Sequence, residues 1–543
     1  MKDAYLKLTA KMKKLNILIL ALGLVFHGEQ VLSQKDSVAV RFANSITPEE
    51  LSKHLYILAG DDYKGRDTGS PELRKAADYL AQYYQSLGVT PGINGSSYFQ
   101  NYPLKREKVA SANIDFQGTS YAFKKDFYSF GGFTIDELKL EKVVFAGYGI
   151  DSKTYNDYSN IDVKDAVVIV MNGEPVDKAG NSIFTGNNSR SEWSDDFRIK
   201  RDAAAKRGAK AILIIEENFD YILKRISYFL DEPRMSLEYP TTVQEESVLP
   251  YYFISPSMAE GLMKSGKKKG IDFYKKRIQK KKRPSSVALK GGMKMSMKME
   301  VERFKADNVL AFIEGSDPIL KDEVVVISAH YDHVGEMQGK IYNGADDDGS
   351  GTVSAMEIGQ AFQLAKLEGK GPKRSILILH VSGEEKGLLG SEWYSEFPIY
   401  PLEKTVCDLN IDMIGRVDDA HKDDPNYVYI IGSDKLSTEL HILSEAANKT
   451  YTSLELDYTY NDPKDPNRFY YRSDHYNFAK HGIPVIFYFS GVHEDYHQPG
   501  DDPEKIMYEK MSKIAKLIFH TAWEVANRPT KLRVDVVNEF EEK

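Results

Sequence analysis

The sequence predicts an α/β fold with a largely parallel sheet, and three observations carry that prediction. Its 543 residues exceed one ordinary core, so two or three domains are expected. With 42% hydrophobic and 28% charged residues, the composition is globular rather than disordered, collagenous or built of membrane spans. From about Met293 onward, short apolar runs alternate with helical patterns, the order that lays helices across a parallel sheet.

The elements follow in chain order. Lys11, Lys13 and Lys14 precede the apolar run 17–26, which is far shorter than the roughly 20 residues a bilayer span needs. With small residues at Val31 and Ser33, residues 1–33 read as an export signal. They hold five Lys and two acids, so their removal takes the net charge from −8 to −11. Residues 34–137 are expected to begin the main domain. Thr47-Pro48-Glu49-Glu50 is a capping box that opens a helix running to about Ala59. A second helix starts at Ser70-Pro71, with Leu73, Ala76, Ala77, Leu80, Tyr84 and Leu87 on one face and Gly88 as its stop. The turn GRDTGS (65–70) lies between them.

Residues 138–275 have a different texture. Strand-like runs at 143–150, 167–173, 209–215 and 251–256 surround a helix at 200–207 that Gly208 ends. No cluster of histidines or paired carboxylates falls there, so this stretch is expected to be an inserted domain without chemistry of its own. The basic run 275–283 is expected to be a solvated helix end or loop rather than a binding patch. Residues 276–530 then return to the main domain, and 531–543 form a tail. Met293, Met295, Met297 and Met299 alternate with polar residues, which predicts a half-buried strand rather than a methionine metal box. Strands follow at 308–313, 324–329, 375–381, 405–411, 427–431 and 484–489, with a helix over 350–367.

Charge and cysteine content narrow the function classes. An acidic chain gives no support to nucleic-acid binding. The single cysteine, Cys407, excludes an intramolecular disulfide and any cysteine-rich metal site. A metal would have to be held by His, Asp and Glu.

Ligands of such sheets gather beyond the carboxyl ends of the strands, and there the sequence concentrates its acids and histidines. The strand 324–329 ends in His330-Tyr331-Asp332. NGADDDGSG (343–351) precedes the following helix. The strand 375–381 runs into Ser382-Gly383-Glu384-Glu385, the strand 405–411 ends at Asp412, and 484–489 leads to His493–His497. Histidines and carboxylates without sulfur suit zinc or another first-row divalent ion. So many acids use two cations more economically than one, with a carboxylate bridging ions about 3.5–4 Å apart in a hydrolytic site.

These stretches resemble the dinuclear-zinc exopeptidase family of bacterial leucyl aminopeptidases and glutamate carboxypeptidase II. VVVISAHYDHVG, NGADDDGSGT, VSGEEKGLLGS, NIDMIGR, YYRSDHYNFAKHGIPV and DYHQPGDD stand in the family's order. FAGYGI, IDVKDAVVIVMNGEP and KRGAKAILII resemble the protease-associated domain often inserted in that family. The resemblance implies a three-layer domain whose central, mostly parallel mixed sheet is flanked by helices, plus an inserted β-rich α+β domain. It implies two zinc ions, bridged by Asp347. Glu385 and His497 would complete one zinc, His330 and Asp412 the other. Glu384 would be the general base for a zinc-activated bridging water, and Asp332 would hydrogen-bond the far ring nitrogen of His330 and fix its tautomer. Tyr470, or the adjoining Tyr471, would polarise the scissile carbonyl. The implied protein is a secreted or periplasmic aminopeptidase acting on peptide or protein N-termini, with no membrane span. The alternatives are a carboxypeptidase of the same family and a single-zinc glutaminyl cyclase-like acyl transferase.

Other readings compete at particular residues. His493-Glu494-Asp495-Tyr496-His497 matches H-E-x-x-H, but Gly491 before it and Pro499-Gly500 after it leave no room for the helix that motif needs. A binding protein on the same scaffold would be expected to lose ligands, and none is missing. Asp346 and Asp348 flank the bridging candidate, and His333 lies three residues beyond His330 as an alternative ligand or a supporting or surface residue. His475 and Asp474 are expected to support the cleft, Asp501 to steady the His497 loop, and Cys407 to be inert core.

Overall fold

The computed structural model describes residues 35–240 and 248–537. The expected export signal at 1–33 lies outside them. The chain divides into two compact units, one of residues 1–102 with 305–543 and the other of 103–304.

In the first unit the sheet strands are β1 (Met293–Ile313, of which 305–313 belong here), β2 (Val324–His330), β3 (Ser375–Val381), β4 (Thr405–Ile411), β5 (Tyr427–Ile431), β6 (Glu455–Asp457) and β7 (Val485–Phe489). Their order is β6-β5-β7-β4-β2-β3-β1. β2 runs parallel to β3 and β4, β4 parallel to β7, and β5 parallel to β6; β1 and β5 are antiparallel to β3 and β7. The sheet is therefore mixed, with a parallel centre. Period-two alternation splits each strand between two cores. Val325, Ile327 and Ala329 pack with one set of apolar residues, Val324 and Val326 with another.

The first core takes helices α1 (Ser37–Ala43), α2 (Pro48–Leu58), α3 (Pro71–Ser86), α4 (Gly351–Leu367), α6 (Thr438–Ala447) and α8 (Tyr508–Asn527). The opposite core takes α5 (Leu389–Glu396) and α7 (His475–Ala479) through Tyr394 and Phe478. Three layers result, as expected. The caps explain the two helix starts. Thr47 accepts from the Glu50 N–H and Ser70 from the Leu73 N–H, each with Pro in the first turn. Cys407 is fully buried on β4.

The helices not foreseen include α6 and α8. α8 is buried on most of its surface, so its apolar residues form no narrow stripe, and α6 is short. The expected tail is part of the unit as far as it is described. Leu532 is buried in the first core, and Asp535 accepts from the Thr438 N–H at the start of α6.

The second unit, 103–304, is wider than the expected 138–275. The chain enters and leaves it within continuous strands, Phe99–Phe116 and Met293–Ile313, so no loop marks either boundary. Its six-stranded sheet has a parallel centre of Lys142–Ala146, Ala166–Met171, Ala211–Ile215 and Tyr251–Ile254. Apolar clusters on both faces cover it. That centre is α/β in character rather than β-rich α+β, because the helix Phe197–Lys206 connects two parallel neighbours. Met293, Met295 and Met297 are buried at alternate positions, the half-buried strand expected.

Candidate metal centre

The carboxyl ends of β2, β3 and β4 deliver His330, the Glu384–Glu385 pair and Asp412 to one place. Asp347 stands among them. Its Oδ1 is 3.4 Å from His330 Nε2, and its Oδ2 is 3.0 Å from His497 Nε2. One carboxylate thus faces two groups of donors. His330, Glu384 and Asp412 form the first, with His330 Nε2 3.7 Å from Asp412 and 4.0 Å from Glu384. Asp347, Glu385 and His333 form the second, and His497 Nε2 lies 3.1 Å from Glu385 Oε2.

The triplet's register follows from where its neighbours turn. Asp346 accepts from the Gly415 N–H at 2.6 Å and faces His493 Nε2 at 3.3 Å. Asp348 accepts from the Gly351 and Met413 N–H groups. Both are spent on the loops around them, and only Asp347 opens toward the histidines. Asp501 does more than steady its own loop, since its carboxylate accepts from the Asp346 and Asp347 N–H groups at 3.0–3.1 Å. Burial and the Asp346 charge push Asp501 up to about 6.

Three supports lie in stretches that the sequence reading had marked only as motifs. Arg66 of the GRDTGS turn is fully buried and donates to the carbonyls of Leu58, Tyr331, Asn343 and Gly344. Thr68 donates to Asp332 Oδ2 at 2.7 Å. Ser473 donates to Asp412 Oδ2 at 2.7 Å, leaving Oδ1 toward His330.

Asp332 departs from its expected contact. Its carboxylate is 3.8 Å from His330 Nδ1, whereas its own backbone carbonyl is 3.2 Å away. The carboxylate is instead taken by Thr68 and the Glu384 N–H. Asp332 therefore touches the base candidate and the histidine's loop together.

Tyr470 also departs. It lines a small cavity with Lys435, Tyr460, Asp462 and Arg468, against Gly432, and Tyr471 lies beside it. The cleft over the donors is lined instead by Met413, Phe469, Arg472, Phe487, Phe489 and Tyr496. Tyr496 stacks on His497 with ring centres 4.0 Å apart and receives a hydrogen bond from Arg472. Its only signal in the sequence was its place beside His497. The H-E-x-x-H match forms no helix, and its two histidines face different carboxylates, Asp346 for His493 and the Asp347–Glu385 pair for His497.

The electrostatics ask for cations. Burial disfavours charge throughout, yet carboxylates around His330 hold it well above its ordinary value, and hydrogen bonds to Asp347 and Glu385 hold His497 up at about 10. Burial and the charges of Glu385 and Asp412 push Glu384 well above the carboxylate range, against the pull of His330. Among the described residues His333 Nε2 is buried without a hydrogen-bond partner, and His330 Nε2, Asp347 Oδ2 and Glu385 Oε1 face only the site's own histidines and carboxylates. Orphaned buried donors and acceptors are rare unless something else satisfies them. Two divalent ions, one per donor group with Asp347 between, fit this set.

Fold and donor set together define an α/β domain with two clustered groups of metal donors at the carboxyl ends of its strands. Residues 308–522 match peptidase family M28. A probable leucine aminopeptidase of Arthroderma benhamiae is 31% identical over 238 residues, covering 42% of this chain and 61% of that protein. A probable zinc metalloprotease of Pyricularia oryzae is 27% identical over 270 residues, covering 42% and 51%. The chain thus spans about half to three-fifths of these relatives' length. The aminopeptidase of Aneurinibacillus sp. strain AM-1 shares the fold, with a TM-score of 0.51 at 18% identity over 92% of this chain and 98% of that one. No helix among the described residues is long and apolar enough to cross a membrane.

Proposed function

We propose that this chain is an exported dinuclear-zinc exopeptidase, and specifically an aminopeptidase releasing N-terminal residues. The observation that carries the reading is Asp347, whose two oxygens face separate donor groups. His330 and Asp412 would hold one ion and Glu385 and His497 the other, with Asp347 available to both. Bound zinc supplies Lewis acidity and an acidified water. The chain's own residues do the rest. Glu384 accepts a proton at its carboxylate and returns it to the leaving amine. Asp332 holds Glu384 in place by accepting from its N–H, and Thr68 fixes Asp332. Phe469, Phe487, Phe489 and Val492 offer an apolar wall for the substrate side chain. Similarity to a probable leucine aminopeptidase, 31% identical over 238 residues, supports the choice of the N-terminal end. Residues 103–304 serve as a protease-associated domain.

Arg472 in the cleft favours a second reading, a carboxypeptidase that pairs this guanidinium with a terminal carboxylate. A panel of N-free, N-blocked and C-blocked peptides, run on protein carrying about two zinc ions per chain, separates the two. An aminopeptidase cleaves N-free and C-blocked substrates. Cleavage of N-blocked but not C-blocked peptides overturns that choice, and no cleavage of any by the zinc-loaded protein overturns the peptidase reading.

A further inference from the structure

We propose that His333 is a further metal ligand, donating Nδ1 to the ion that Asp347, Glu385 and His497 hold. This deepens the dinuclear reading above and rests on it. His333 Nδ1 lies 2.9 Å from Glu385 Oε1 and 3.7 Å from Asp347 Oδ2, so it converges on the same point as the accepted donors. Its ring is 5.7 Å from that of His497, centre to centre, at a steep angle of 72°. Two imidazoles so inclined bring nitrogens to one ion without their rings colliding.

The ring is built into place. Its residue is fully buried, and its backbone N–H donates to the Arg66 carbonyl. Gly344 lies against it so closely that a Cβ there would fall 2.4 Å from His333 Cγ. A glycine at 344 therefore leaves the ring its space. Among the described residues Nε2 has no hydrogen-bond partner and Nδ1 meets only the site's own carboxylates, so neither nitrogen is committed to holding the fold elsewhere. A buried imidazole turned only toward two buried carboxylates is costly unless a cation joins them.

The consequence is an asymmetry between the two positions. One ion has four protein donors, His333, His497, Glu385 and Asp347, the closed tetrahedral set of a structural zinc. The other has His330, Asp412 and the shared Asp347, which leaves it the open position a catalytic zinc needs. His497, with 36% of its side chain exposed, is the outer member of the closed set, and His333 is the inner one.

The test is X-ray absorption at the zinc edge on the full-length protein loaded with two ions, with competitive chelator titration of the wild type and His333→Asn. The wild type should show three imidazoles shared over two zincs, and the variant two. The variant should bind its second zinc about a hundredfold or more weakly, because even the loss of a ligand's supporting partner costs 10–100-fold. It should keep the first. Two imidazoles in the wild type, or an unchanged second affinity in a folded variant, overturns the proposal. A wild type that retains one zinc or none overturns the dinuclear reading and the proposal with it, and the metal count identifies that case. The wild-type spectrum decides even if the variant does not fold.

Discussion

Arg66→Met should loosen the loop that carries Asp347 while leaving every metal-ligand candidate in the sequence. The guanidinium is fully buried and spans four carbonyls at 2.6–2.9 Å, those of Leu58, Tyr331, Asn343 and Gly344. Methionine fills comparable length but donates nothing. Each buried acceptor left bare costs about 1–3 kcal/mol. The Gly344 carbonyl keeps the Gly349 N–H, so three are left bare, and even at the lower end they cost about 3 kcal/mol, a large share of the 5–15 kcal/mol by which a typical domain is stable. Lysine would rescue little, since one ammonium cannot reach four carbonyls in a planar fork. Because two compact units need not unfold together, the assay is native-state hydrogen exchange on peptides covering 324–351, at fixed free zinc. A local loss of about 3 kcal/mol accelerates exchange there roughly a hundredfold, taking 1.4 kcal/mol per decade. An acceleration below about tenfold would refute the idea that these four bonds hold the loop.

Glu384→Gln should retain both zincs by elemental analysis and lose about 10²–10⁴-fold in kcat; normal turnover in a zinc-replete variant removes Glu384 as the base. Asp347→Asn should lower affinity for both ions together, because each of its oxygens faces one donor group, and a chelator titration that shows only one ion weakened contradicts the bridge. Glu357 on α4 is fully buried, and burial raises it to about 7, with Tyr83 and Gln360 donating to it. The folded state therefore binds more protons than the unfolded one between about pH 4.5 and 7, and stability falls as pH rises through that window. Glu357→Gln should accordingly be up to about 3 kcal/mol more stable than wild type at pH 8 and equal to it at pH 4, taking 1.36 kcal/mol per unit. Paired denaturant curves at matched pH check this, and a variant no more stable at pH 8 defeats it.

The strands that carry ligands were legible because buried parallel strands are unbroken apolar runs. Ser375–Val381, Thr405–Ile411 and Tyr427–Ile431 were read to the residue. Strand ends then gave the cluster of His and acids, since alternation fixes which residues reach the mouth of the sheet. Phe99–Phe116 was missed because its KREK segment is half-exposed and shows no two-residue rhythm. Side-chain partners were harder still. Asp332 turned to Thr68, a residue 264 positions away, and no local pattern announces such a pairing. Tyr496 lines the cleft where Tyr470 was expected for the same reason: which tyrosine faces a cleft depends on loop paths, not on spacing.

The split of the ligand-bearing unit by residues 103–304 sets a timetable for its making. Arg66 leaves the ribosome 265 residues before its partner Tyr331, a delay of roughly 13–50 s at 5–20 residues per second. Throughout that interval Leu51, Leu55, Leu73 and Leu80, all buried in the finished molecule, have no sheet to cover them. The intervening residues can complete their own core meanwhile. The nascent protein therefore carries a finished middle and an unfinished beginning, which is when a holding chaperone matters most. The donor set is completed last of all, because His497 is translated after every other candidate ligand.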